Sequence, residues 1–264
     1  MRRYVAIIVA VVACISTASA WNKLGQTSIA TLADQNLTPA AKEQTSKILG
    51  GDLASGAWWF AEHLKESKDR VMPKWQFLTL SADLKSVTDS DTDAVVQIER
   101  CAEVLRNRAE HSDSTVVASL KTLIHLVADM HNIGHIQIEG NALSRKNFKV
   151  NMSNGQLGAK EKLSSISWRR MWGASFIDRH SCFPPSLYAL DLSLAHAADK
   201  ANFEQGDPRQ WAADMGNLAA PIYEWAKPDV YMSREHHNRL ERLNDKCMAR
   251  AGYRLAALLN SIFK

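Results

Sequence analysis

Long apolar runs are missing from this 264-residue chain once its first 20 residues are passed, so no later segment reads as a bilayer span. A charge excess is missing as well. Arg2 and Arg3 account for two of the 32 Lys and Arg residues, so the chain beyond residue 20 carries 30 basic against 28 acidic groups. That near-neutral balance gives no electrostatic case for a nucleic-acid partner. Cysteine is scarce: apart from Cys14 there are only Cys101, Cys182 and Cys247. Three thiols allow at most one internal disulfide and leave one free, and their spacing excludes a Cys-based zinc motif. Fixed-period repeats, low-complexity tracts and Pro- or Ser-rich linkers are also lacking, which leaves a single domain as the simplest organisation.

What is present begins with MRRYVAIIVAVVACISTASA. Arg2 and Arg3 form a basic region, Tyr4 to Ile15 an apolar core, and Ala18-Ser19-Ala20 an A-x-A cleavage site, the pattern of a secretory signal peptide. Residues 1–20 are therefore expected to be removed before Trp21, leaving 21–264 as one secreted or periplasmic domain. Lipidation at Cys14 is the weaker alternative.

Helical periodicity dominates the rest. Thr38-Pro39 opens a helix that Gly50-Gly51 closes. Further helices are predicted over Leu53–Ser67, Asp93–Glu110, Ser114 to about Ile133, from near Ser167, over 186–204 and 207–225, and over Ser233–Phe263. Residues 140–165, rich in Asn, Gly, Ser and Lys around Phe148–Met152, predict a short extended segment or hairpin. The fold class is thus mainly α with a small β or irregular insert.

One stretch carries chemistry: TLIHLVADMHNIGHIQ, residues 122–137. Helical spacing puts His125 and Asp129 on one side, and Leu123, Leu126, Val127, Met130 and Ile133 around the other. Two readings follow. His125 and Asp129 form an ion pair on a solvated face, or they begin a metal site that His135, just after Gly134, completes. The remaining histidines have no persuasive partners in sequence. His236 and His237 are expected to face solvent, and His63, His111, His180 and His196 lack a carboxylate or cysteine at ligand spacing.

Several segments together resemble the S1/P1 nuclease family. WNKLGQTSIATLA is similar to the family's opening W-G-x-x-G-H-x-x-I-A, LASGAWWFAEHLK to L-A-x-x-A-x-W-A-D-x-x-R, and KWQFLTL to its W-H-[YF] segment. LKTLIHLVADMHNIGHIQ resembles L-x-F-L-V-H-F-[IV]-G-D-x-H-Q-P-L-H, ISWRRMWGASFI resembles N-L-H-x-x-W-D, and AGYRLAALLNSIF matches the C-terminal helix. The motifs fall in family order along the mature chain. The resemblance implies a single-domain helical fold of the phospholipase C/P1 nuclease type. It also implies up to three zinc ions in a cleft, and hydrolysis of single-stranded nucleic acids or nucleotides. One of those ions is bound by the amine and carbonyl of the N-terminal Trp.

Carried over position by position, the resemblance makes Trp21, His125, Asp129 and His135 zinc ligands, with Asp129 the best catalytic candidate. Gln26, Ala61, Gln76, Arg169 and Gly173 stand where the family has His, Asp, His, His and Asp. Five of nine ligand positions are altered. Glu62 is adjacent to Ala61, but one residue turns a helical side chain by about 100°. Leu64 likewise replaces a family Arg, with Lys65 beside it. A neutral amide is a poor zinc ligand, and a guanidinium stays protonated and cannot ligate. The expectation is an impaired hydrolase that retains nucleic-acid or phosphate binding, with Arg169 as a phosphate contact. The alternative is an active phosphodiesterase with a reduced or rebuilt metal site.

Overall fold

The computed structural model describes residues 21–153 and 163–264. The expected signal peptide, residues 1–20, and the middle of the 140–165 insert lie outside the described residues. Helix α1, Lys23–Asp34, starts where the Asn22 side chain accepts the Gly25 N–H. Helix α2, Pro39–Leu49, has the expected Thr38 cap and ends on Gly50 at φ 68°, a left-handed conformation that glycine adopts without a Cβ clash.

The single helix expected over Leu53–Ser67 is two: α3, Leu53–Gly56, and α4, Trp59–Glu66. The interruption has a tertiary cause. The Ala57 carbonyl, which would continue the helix, meets Nδ1 of His125 at 3.2 Å. After α4, Met72–Gln76 forms a 3-10 turn leading into strand β1, Leu78–Leu80. Asp93 then caps α5, Ala94–Arg106. Its carboxylate holds Val95 N at 2.9 Å and Thr79 N at 2.7 Å, tying the helix start to β1.

Helix α6, Asp113–Asp129, is followed by a 3-10 turn at Ile133–His135 and by strand β2, Ile136–Ile138. β2 pairs in parallel with β1, matching Leu78 to Ile136, and this small sheet brings the segment before β1 beside His135. The expected hairpin is present as β3, Lys149–Ser153, antiparallel to β4, Leu163–Ser167, with β5, Tyr231–Met232, alongside β3. Helix α7, Trp168–Arg170, runs on as a π turn through Ser175. The single helix expected over 186–204 breaks at His196 into α8, Pro185–Ala195, and α9, Lys200–Phe203. An Asp207–Gln210 capping box opens α10, Pro208–Trp225, and Ser233 caps the long α11, Arg234–Ile262. No helix of the described residues is long and apolar enough to cross a membrane.

The core sits around α6, which packs against α1, α2, α3, α4, α5 and α11. Its polar side is therefore enclosed. Helices α1 and α11 meet at Gly252, where an added Cβ would lie 2.8 to 3.1 Å from three atoms of Leu32. Leu32 is a branched core side chain with 0% exposure and nowhere to retreat. Gly252→Ala is expected to cost about 1–3 kcal/mol by overpacking, read as a lower urea midpoint with an unchanged slope. The three cysteines among the described residues are free thiols; burial raises Cys101 and Cys247 to about 12, which keeps both protonated and inert at neutral pH.

Candidate functional site

Because α6 is enclosed, the solvated-face reading of His125 and Asp129 is wrong: both are fully buried. His125 Nε2 and Asp129 Oδ2 face each other at 3.2 Å, and neither atom has a further partner among the described residues. A carbonyl can only accept, so the Ala57 oxygen fixes the proton of His125 on Nδ1. Its Nε2 faces the carboxylate.

The N-terminal segment closes over this pair. The Trp21 indole donates to the Ala128 carbonyl at 2.9 Å, and the Asn22 N–H donates to the Gly173 carbonyl at 2.7 Å. The first turn of α1 then delivers Gln26, whose Nε2 donates to Asp129 Oδ1 at 2.5 Å. Thus Trp21, His125 and Asp129 come together, and an amide sits on the second oxygen of the aspartate.

His135 approaches from the turn after α6. The Gly134 N–H is held by the Asn132 side chain at 2.8 Å, and His135 Nδ1 donates to the Gln76 carbonyl at 3.1 Å. This second anchored imidazole also leaves its Nε2 buried and without a partner. Burial pushes the His135 ring down to about 4; Asp129 opposes that shift, and the Arg169 cation adds to it. Arg169, on α7, places its guanidinium 4.6 Å from the Phe77 ring, which itself stacks on His135 at 4.7 Å. Its backbone N–H is held by Asn147, one N–H reaches the Arg145 carbonyl at 3.3 Å, and its buried Nε has no partner. Desolvation lowers its pKa. Gln76 is buried, with Nε2 on the Pro73 carbonyl at 3.2 Å and Oε1 unpartnered.

These atoms fit a zinc centre only in part. One half resembles a metal site: imidazoles anchored through Nδ1 with free Nε2 atoms are what second-shell carbonyls produce around a metal. The other half does not. Ala61 and Gly173 offer no side-chain donor, Gln26 and Gln76 are neutral, and Arg169 brings a cation. Among the described residues no group of three or more His, Cys, Asp or Glu is placed to hold a metal ion. The residues present do not fit a three-zinc centre.

The remaining histidines behave differently from one another. His236 is exposed and stacks on Trp225, while His237 meets Phe176 edge-on. His63 stacks on Trp59, and His180 stacks on Tyr188 at 4.0 Å. His131, which carried no role in the sequence, is fully buried against Arg254. A histidine and an arginine each isolated in apolar surroundings, as in LVADMH and AGYRLAALL, had to find polar partners; that was the signal available.

In this mainly helical chain the buried His125, Asp129 and His135 side chains converge beside Trp21. The S1/P1 nuclease family profile matches residues 21–264. The chain belongs to the S1/P1 nuclease family, and nuclease-type hydrolysis is the activity that membership supports. No curated protein matches it in sequence.

Proposed function

We propose that this protein is an exported S1/P1-family member that has lost zinc-dependent phosphodiester hydrolysis and binds nucleic acid or a phosphate ligand at the altered cleft. The observation that carries this reading is the contact from Gln26 to Asp129. A carboxylate oxygen that would be available to a cation is instead occupied by an amide N–H. Electrostatics points the same way. Two acidic positions are Ala61 and Gly173, and Arg169 adds positive charge. Repulsion between unit charges about 4 Å apart is roughly 4 kcal/mol at an effective dielectric of about 20, and it doubles for a divalent ion. Arg169 is suited to a phosphate instead, since its guanidinium offers several donors to an oxyanion.

Arg169→Met is expected to weaken binding of a short single-stranded oligonucleotide by about ten-fold or more, with thermal stability maintained. Calorimetric titration checks this, and an unchanged affinity would remove Arg169 as the phosphate contact. Export with cleavage before Trp21 belongs to the same proposal; N-terminal sequencing of secreted protein then reads Trp first.

A second reading is favoured by one observation, the facing Nε2 and Oδ2 atoms of His125 and Asp129 at 3.2 Å, which have no further partner among the described residues. These two, with Trp21 and His135, are the residues that would form a reduced metal site. Strand cleavage abolished by a chelator and lost in Asp129→Asn would support that reading over the first.

A further inference from the structure

A cavity of about 720 Å³ opens between α10, β5 and α11, and none of its lining belongs to the cleft described above. We propose that it is a binding site for a small planar aromatic carboxylate. Its size falls within the range of about 300–1,000 Å³ typical of small-molecule sites. Leu218, Ile222, Leu240 and Leu243 supply an apolar floor. Two large aromatics on the lining stay accessible, Trp225 at 37% and Tyr231 at 46%. The Trp225 ring is already braced by His236, stacked at 5.7 Å and 19°, and His236 in turn is held by Ser233 at 3.2 Å. Ring walls of this kind favour a flat ligand that can stack or meet them edge-on.

Charge sets the polar end. Arg239 lines the cavity, no acidic side chain does, and Arg239 makes no ion pair or hydrogen bond among the described residues. A carboxylate can take its N–H fork bidentately while the ring system lies on the leucine floor. The apolar lining argues against a nucleotide, because ribose hydroxyls would be desolvated there without partners.

The test uses 2-naphthoate and its neutral amide as probes in calorimetric titrations of the full mature chain. Naphthoate is expected to bind saturably at one site. Arg239→Met should weaken the acid by about ten-fold while leaving the amide unchanged, and Trp225→Ala should weaken both. Arg239 and Trp225 are exposed, so both variants are expected to keep the parent melting temperature. Methyl NMR of the unsubstituted protein decides the matter without any variant: shifts confined to Leu218, Ile222, Val230, Leu240 and Leu243 support the site. No saturable binding at millimolar naphthoate, equal losses for acid and amide in Arg239→Met, or shifts elsewhere would overturn it.

Discussion

Arg254→Met is expected to destabilise the protein by about 3 kcal/mol or more. The Arg254 side chain is 3% exposed, yet it makes four polar or ring contacts. It pairs with Asp214, donates to the Phe203 carbonyl at 3.3 Å and to His131 Nε2 at 3.1 Å, and lies over the Trp211 ring. His131 is a suitable acceptor because burial, with Arg254 and Arg250 nearby, holds its pKa well below the usual histidine range. The ring is therefore neutral, with Nδ1–H donating to the Val127 carbonyl at 2.7 Å. Burial lowers Arg254 to about 10, so it stays a cation at neutral pH. Methionine fills much of the volume but leaves His131 Nε2 and the Phe203 carbonyl unsatisfied in the core. Asp214 is half exposed and can be resolvated, which predicts that losing its charge matters less. Asp214→Asn keeps an acceptor for the guanidinium but removes the counter-charge of a buried cation, and should cost less than Arg254→Met, about 1–3 kcal/mol. Urea unfolding at pH 7 separates the two; equal losses would show that the ion pair, rather than the buried network, carries the effect.

The second large effect is a gain. Restoring the five altered ligands together, as Gln26→His, Ala61→Asp, Gln76→His, Arg169→His and Gly173→Asp, is expected to convert the cleft into a zinc centre that cleaves single-stranded DNA. The retained half is already oriented: His125 and His135 are fixed through Nδ1, and Trp21 is held beside Asp129 by Ala128. Gln26→His releases Asp129 Oδ1, and Arg169→His removes the opposing cation. Zinc held there would supply Lewis-acid chemistry and lower the barrier by several kcal/mol, roughly three orders of magnitude in rate or more. Zinc content by atomic emission and a single-strand digestion assay measure both halves of the claim. A folded quintuple variant that binds zinc but remains inactive would locate the loss elsewhere than in the ligands.

The sequence exposed local structure better than the site. Thr38-Pro39 and Gly50 mark α2 because caps are short-range chemistry, and the β3–β4 hairpin shows in composition. The break between α3 and α4 depends on His125, 68 residues away, and no local propensity encodes it. The β1–β2 pairing was hidden for the same reason, since each strand has only three residues. His125 and Asp129 looked solvent-facing because one side of α6 is richer in aliphatic residues. The structure buries both sides, since six other helices surround it. Gln26 and Asp129 are 103 positions apart, so only the family resemblance could relate them. Even the resemblance gave the loss of a ligand, and left unseen that the replacement amide hydrogen-bonds the surviving one.

The central claim is that this chain keeps the family fold while its cleft no longer assembles a zinc cluster. The most direct measurement is metal content of the mature protein purified from zinc-containing medium, with single-stranded DNA hydrolysis assayed on the same sample. The account predicts less than one zinc ion per chain and no chelator-sensitive cleavage. Two or more tightly held zinc ions with chelator-sensitive turnover would contradict it.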